Sequence, residues 1–172
     1  MKDYLNIGLI QPVQDSDIAC SKAGGGYNLF VNPLIQEKVW QQILHGLREF
    51  SHNETHLPII LIPELHLPHH YLDILKKLAC SLGAIIIAGL DFENHFLHHN
   101  LIRNRAALII PFNWPKNITS RKALVLKPGK TFFSYEERKM FSSLSVREFS
   151  DFNVYLFKSE NFGNFGFIIC SD

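Results

Sequence analysis

The feature that most constrains this chain is an alternation running through residues 4–90, in which short unbroken apolar runs take turns with segments whose apolar residues recur at helical spacing. Residues 4–11 form a short apolar run closed by Pro12 and read as a buried strand. Asn32 before Pro33 is an N-cap with proline in the first turn. Trp40, Ile43, Leu44 and Leu47 then line one face of an amphipathic helix ending near Phe50. Residues 58–63 are a β-branched run between two prolines, as expected of a strand covered on both faces, with Glu64 at its carboxyl end. The cycle repeats with Tyr71, Ile74, Leu75, Leu78 and Leu82 on a second helical face, a stop at Gly83, and a strand over residues 84–90. Strand, helix, strand, helix, strand implies an α/β layer with a largely parallel core, whose reactive groups collect at the strands' carboxyl ends.

Beyond Asn100 no helical periodicity is evident. Residues 105–111, 123–127, 154–157 and 165–169 read as strands, and the glycine-bearing residues 15–32 as a loop. The chain has 172 residues, 47% of them hydrophobic, enough for one domain with a sizeable core and too few for two of ordinary size. We therefore expect one domain over residues 1–172. A formal net charge of +1 with scattered lysines and arginines gives no field for collecting phosphates, so no nucleic-acid partner is expected. The longest apolar runs are too short to cross a bilayer and the N-terminus lacks a secretory pattern, so a soluble, cytoplasmic protein is expected. Three widely spaced cysteines, Cys20, Cys80 and Cys170, argue for free thiols over a disulfide framework or a cysteine-built zinc site.

Three of the strands end at a chemically capable side chain: Glu64 after Leu61-Ile62-Pro63, Lys127 or Lys130 after residues 123–126, and Cys170 after Ile168-Ile169. Carboxylate, ammonium and thiol at one sheet edge would supply what amide cleavage through a thioester needs. These are a nucleophile, a base to take its proton, and a cation for the charge that develops on the carbonyl oxygen.

In these motifs, and in their order, the sequence resembles the carbon–nitrogen hydrolase family, the nitrilase superfamily. The matching stretches are Leu61-Ile62-Pro63-Glu64, a later lysine, and Gly166-Phe167-Ile168-Ile169-Cys170-Ser171-Asp172, with an opening strand ending in Gln11 and a strand over residues 104–111. The resemblance covers nearly the whole chain. Lys130 to Glu137 reads Lys-Thr-Phe-Phe-Ser-Tyr-Glu-Glu and fits the family's lysine-to-glutamate spacing, so the resemblance implies Lys130 as the catalytic lysine and Glu137 as a supporting carboxylate. Lys127 and Glu136 stand as substitutes, and Lys122 lies close by. The usual Tyr-Arg-Lys and His-Leu around the lysine are missing.

The resemblance implies an α-β-β-α sandwich of which the chain holds the first half, ending just after the cysteine. On that expectation the last strand leaves an apolar edge open, and the chain alone assembles or is poorly soluble, and is inactive. The implied chemistry is a thiol amidohydrolase. Glu64 takes the proton of Cys170, the thiolate attacks a small amide, ureido compound or nitrile, and no metal or organic cofactor is needed. Rival expectations are an N-acyltransferase with the same triad, and a nitrilase-like module without catalysis that serves in assembly as a homo-oligomer or within a longer chain.

The bland alternatives are specific too. Cys170 could pack as a small hydrophobe, Glu64 could be a turn residue, one of Lys127 and Lys130 could be a solvated turn lysine, and residues 136–139 read first as an exposed charged face. Nine histidines include the clusters His66, His69, His70 and His95, His98, His99, but neither has a cysteine or a well-placed acid beside it, so surface histidines are expected in preference to a metal site.

Overall fold

The computed structural model describes residues 5–14, 29–52, 59–112, 114, 120–160, 163–166 and 168–169. It is a mixed α/β structure built on a five-stranded sheet. In chain order the elements are β1 (Ile7–Leu9), α1 (Pro33–His52), β2 (Ile59–Leu67), a 3-10 turn (His69–Tyr71), α2 (Leu72–Leu82), β3 (Ile85–Leu90), β4 (Glu93–His95), β5 (His98–Arg103), β6 (Ala106–Pro111), β7 (Ala123–Leu126), α3 (Tyr135–Ser143), β8 (Arg147–Glu148), β9 (Leu156–Ser159) and β10 (Gly163–Gly166).

The large sheet runs β1-β2-β3-β6-β7. β1, β2 and β3 are parallel, whereas β3–β6 and β6–β7 are antiparallel. The sheet is therefore mixed, not largely parallel. The helical crossovers that enforce parallel pairing occur only as far as β3, and no helix separates β6 from β7 among the described residues. β4, β5 and β8 form a second small sheet, and β9 and β10 a two-stranded one.

Both helices on the large sheet form where the sequence places them. Asn32 caps α1, its Oδ1 accepting from the Leu34 N–H at 2.9 Å and its carbonyl from Ile35 and Gln36. The buried stripe of α1 is Val39, Trp40, Ile43 and Leu47. α2 ends on Gly83 in the left-handed conformation (φ 64°), but its buried face is Leu75, Ala79 and Cys80, with Ile74 turned outward. These faces meet Ile60, Ile62, Ile86, Ala88, Ala107 and Ile109 in the main core. On the opposite face of the sheet, Ile59, Ile85 and Leu108 pack with Trp114, Phe157 and Phe165, and the last two rings stack at 5.3 Å. A third cluster of Leu29, Phe92, Ile102, Phe133 and Phe141 sits under α3.

Other differences from the sequence reading are local. A helix does exist beyond Asn100: α3. The hairpin of β4 and β5 falls in a polar, histidine-rich stretch without apolar alternation. β9 and β10 lie a few residues from the expected strands over residues 154–157 and 165–169. Apolar edges are exposed at Ile7 and Leu9 of β1 and at Leu156 of β9, as are Val154 and Ile168 beside the small sheet. Most of the expected loop at residues 15–32 lies outside the described residues. Among the described residues no helix is long and apolar enough to cross a membrane.

β2 is not regular. Its pairing with β3 holds from Ile59 to Ile62, breaks, and resumes at Leu67 opposite Leu90. In the break the backbone at Pro63 and Glu64 presses onto Gly89, so closely that a β-carbon there would lie 2.2 Å from Glu64 Cα and 2.6 Å from the Pro63 carbonyl oxygen. Only glycine fits. Gly89→Ala should therefore destabilise the fold by about 3 kcal/mol, as overpacking against rigid backbone does; a urea unfolding curve with an unchanged midpoint would contradict this placement.

Candidate active site

The irregularity of β2 is what presents Glu64. Pro63 donates no ladder bond, and Leu65 adopts a left-handed conformation (φ 59°), which is costly for a residue with a branched side chain. The ring of His66 closes the kink, its Nδ1 donating to the Glu64 carbonyl oxygen at 2.6 Å. Strain of this kind persists only where surrounding contacts over-determine it. Here Leu65 packs against the cluster under α3, and β2 rejoins β3 two residues later.

Lys130 reaches Glu64 from the turn after β7. Arg105 and Gly129 form an antiparallel bridge, and the Lys130 N–H donates to the Asn104 carbonyl at 2.8 Å, so the turn is laid against the β5–β6 junction. Gly129 is needed in this turn, because a β-carbon there would lie 2.6 Å from Asp151 Cβ, and its N–H donates to Asp151 Oδ2 at 2.9 Å. With the backbone pinned, the Lys130 side chain is only 4% exposed.

Glu137 arrives from α3. Ser134 caps this helix in a capping box: its Oγ accepts from the Glu137 N–H at 3.2 Å, and its own N–H donates to Glu137 Oε2 at 2.7 Å. That carboxylate, fixed by the cap, is one of two that hold the ammonium. Lys130 Nζ lies 2.9 Å from Glu137 Oε2 and 2.9 Å from Glu64 Oε1. Asn104, buried between β5 and β6, donates from Nδ2 to Glu64 Oε1 and, at 3.2 Å, to Glu137 Oε1. Burial alone would push the Lys130 ammonium down, but the hydrogen bonds it donates to Glu137 and Glu64, with their charges, raise it above its ordinary value of 10.5. The Phe133 ring, 5.8 Å from Nζ, closes the apolar side.

Of the residues singled out in the sequence, Glu64, Lys130 and Glu137 come together. The substitutes do not. Lys127 lines a cleft of about 280 Å³ with Arg103, Asn104, Arg105, Phe149 and Asp151, and Lys122 and Glu136 are exposed. Glu137 is not part of an exposed charged face; its side chain is 14% exposed, because the capping box turns it inward while Glu136, Arg138 and Lys139 point out. Cys170 and Cys20 lie outside the described residues. Ile168 and Ile169 are described, and they line a cleft of about 250 Å³ with Pro128, Gly129 and Thr131, the residues that flank Lys130.

Asn104 was not marked by the sequence as more than the start of a strand. One polar residue at a strand's edge carries no local signal of its contacts.

His70, His98 and His99 are exposed, as expected of surface histidines, whereas His66, His69 and His95 are tied into the structure. His69 Nε2 meets the Asp91 carbonyl at 2.8 Å, and its Nδ1 lies 3.7 Å from Glu93, which pairs with Arg105. His95 is buried against the Phe149 ring at 4.6 Å, and burial, with Arg103 and His98 nearby, lowers its protonation below the usual range. Among the described residues no three His, Cys, Asp or Glu side chains group so as to hold a metal ion.

No protein-family model and no curated protein matches this chain.

The cluster places two carboxylates against one ammonium, so the ammonium is the element whose loss costs most. Lys130→Met should lower stability by about 3 kcal/mol, the usual result of leaving buried charges without their partner. The sign with pH follows from the raised value of Lys130. Its stabilisation is complete below the unfolded value near 10.5 and is lost as pH rises through the folded value. The urea midpoint of the parent chain should fall above that pH more steeply than that of Lys130→Met; parallel pH profiles would show that the ammonium is not held in this way.

Proposed function

We propose that the chain carries the first part of a carbon–nitrogen hydrolase domain and that its chemistry is thiol amidohydrolysis with Glu64, Lys130 and Cys170. The observation that carries the reading is the meeting of Glu64, Lys130 and Glu137 at hydrogen-bond distance, from positions far apart in sequence. That arrangement is uncommon as a structural device, since a buried ammonium between two carboxylates gains little over apolar packing. It is useful where an oxyanion must be met by a fixed cation. The cleft that Ile168 and Ile169 share with Pro128, Gly129 and Thr131 sets the segment before residue 170 beside the turn that carries Lys130, which supports the reading.

In this reading Glu64 accepts the thiol proton as the Cys170 sulfur attacks the carbonyl carbon of a small carboxamide or ureido compound; with a nitrile the same attack gives a thioimidate, to which one water adds to form the tetrahedral carbon that expels ammonia. Glu64 Oε1 already accepts from Lys130 and Asn104, which leaves Oε2 as the basic atom. Lys130 stabilises the tetrahedral oxyanion, a role in which one lost donor costs about 3 kcal/mol of barrier. As the C–N bond breaks, Glu64 returns the proton to the departing nitrogen. Water then attacks the thioester, with Glu64 again as base, and the carboxylic acid leaves with the thiol restored. Glu137 keeps the ammonium in place. An acyl acceptor in the place of water would make the same site an N-acyltransferase.

The exposed apolar edge at Ile7 and Leu9 favours a second reading, a nitrilase-like module that serves in assembly and has no activated thiol. Alkylation separates the two. With iodoacetamide at neutral pH, Cys170 should label at least tenfold faster than Cys20 and Cys80, and Glu64→Gln should remove the advantage. Equal labelling of all three thiols would leave the assembly reading standing and end the catalytic one.

A further inference from the structure

Asn104 is 1% exposed, yet only half of its amide is used: Nδ2 donates to both Glu64 Oε1 and Glu137 Oε1, while Oδ1 is buried with no partner among the described residues. A buried acceptor without a donor is costly, and an amide can rotate to exchange its two ends. Rotation here would aim an oxygen at two carboxylates. The orientation is therefore dictated by the carboxylates, and the unsatisfied oxygen is what that orientation costs.

Charge explains why an amide is wanted at this point. Glu64 comes from β2 and Glu137 from α3, and Lys130, between them, can offset only one negative charge. Two carboxylates around a single ammonium repel each other. The two N–H groups on Nδ2 are shared between the carboxylates and oppose that repulsion without adding a second cation that would compete with Lys130. They also fix the rotation of Glu64. Oε1 takes both donors, and among the described residues no donor is on Oε2. His66, a further titratable group on this segment, bonds the Glu64 backbone carbonyl.

We propose that Asn104 is a positioning residue for the amidohydrolase site: it holds the Glu64 carboxylate turned so that one of its oxygens is left to act as base. The inference rests on the catalytic reading above, and it assigns no contact between Asn104 and substrate. Asparagine at this position, unlike leucine or aspartate, supplies donors without charge.

The test is the pH dependence of Cys170 alkylation by iodoacetamide in the whole chain, followed by mass spectrometry, for the parent, Asn104→Leu and Asn104→Asp. Loss of one charge-assisted hydrogen bond should move the acid limb of the profile upward by about one pH unit in Asn104→Leu and slow labelling about tenfold below that limb. Asn104→Asp keeps the volume and adds a third carboxylate, so its acid limb should move at least as far. Cys80, buried on α2 away from the cluster, reports on folding: its labelling should stay slow in every variant that folds. A parent profile in which Cys170 labels like an ordinary thiol defeats the catalytic reading itself. An activated parent whose acid limb is unchanged in Asn104→Asp defeats the role of Asn104 and leaves the catalytic reading intact. Should Asn104→Leu fail to fold, as shown by rapid labelling of Cys80, the aspartate variant alone decides the matter.

Discussion

The ammonium of Lys130 is held between two carboxylates, and much of the surrounding backbone is arranged to put it there. The kink in β2, with a proline, a left-handed leucine and a glycine opposite, brings Glu64 off the regular strand. The turn at Pro128 and Gly129 is stitched to Asn104 and Asp151 so that Lys130 points inward. The capping box of α3 spends one lone pair of Glu137 on the helix and another on the ammonium. Each device is local, and each would be a defect in a fold that had no use for the cluster.

Some of this was legible in the residues. The 3.6-residue spacing of Trp40, Ile43 and Leu47, the Asn32-Pro33 cap and the Gly83 stop define α1 and α2, because these signals are local and the faces they bury lie on one sheet. The pairing of Lys130 with Glu137 is what the resemblance implies, and the two side chains meet. α3 went unread although Ser134-Tyr135-Glu136-Glu137 is the form of a capping box. Its apolar content is thin, with Phe141 its one fully buried residue, and a charged run before it reads as surface. The switch from parallel to antiparallel pairing at β3–β6, and the contacts of Asn104, depend on long-range packing that no short window contains.

The charge state of the cluster connects structure to the proposed chemistry. A thiol gains nucleophilicity from an adjacent base and cation. A base with one oxygen committed to two donors and the other open is set for repeated proton transfer. The same geometry would suit water or an amine as the second nucleophile, so hydrolysis and acyl transfer are distinguished by what enters the site and not by the residues that form it.

The coupling between Glu64 and Lys130 is the interaction on which the site rests, and a double-mutant cycle measures it. Urea unfolding of the parent, Glu64→Gln, Lys130→Met and the double variant should give an interaction energy above about 1 kcal/mol, because the two side chains share a hydrogen bond at 2.9 Å in a largely buried setting. Additivity to within about 0.4 kcal/mol would mean that the pair does not interact in solution, and the site described for this chain would not exist.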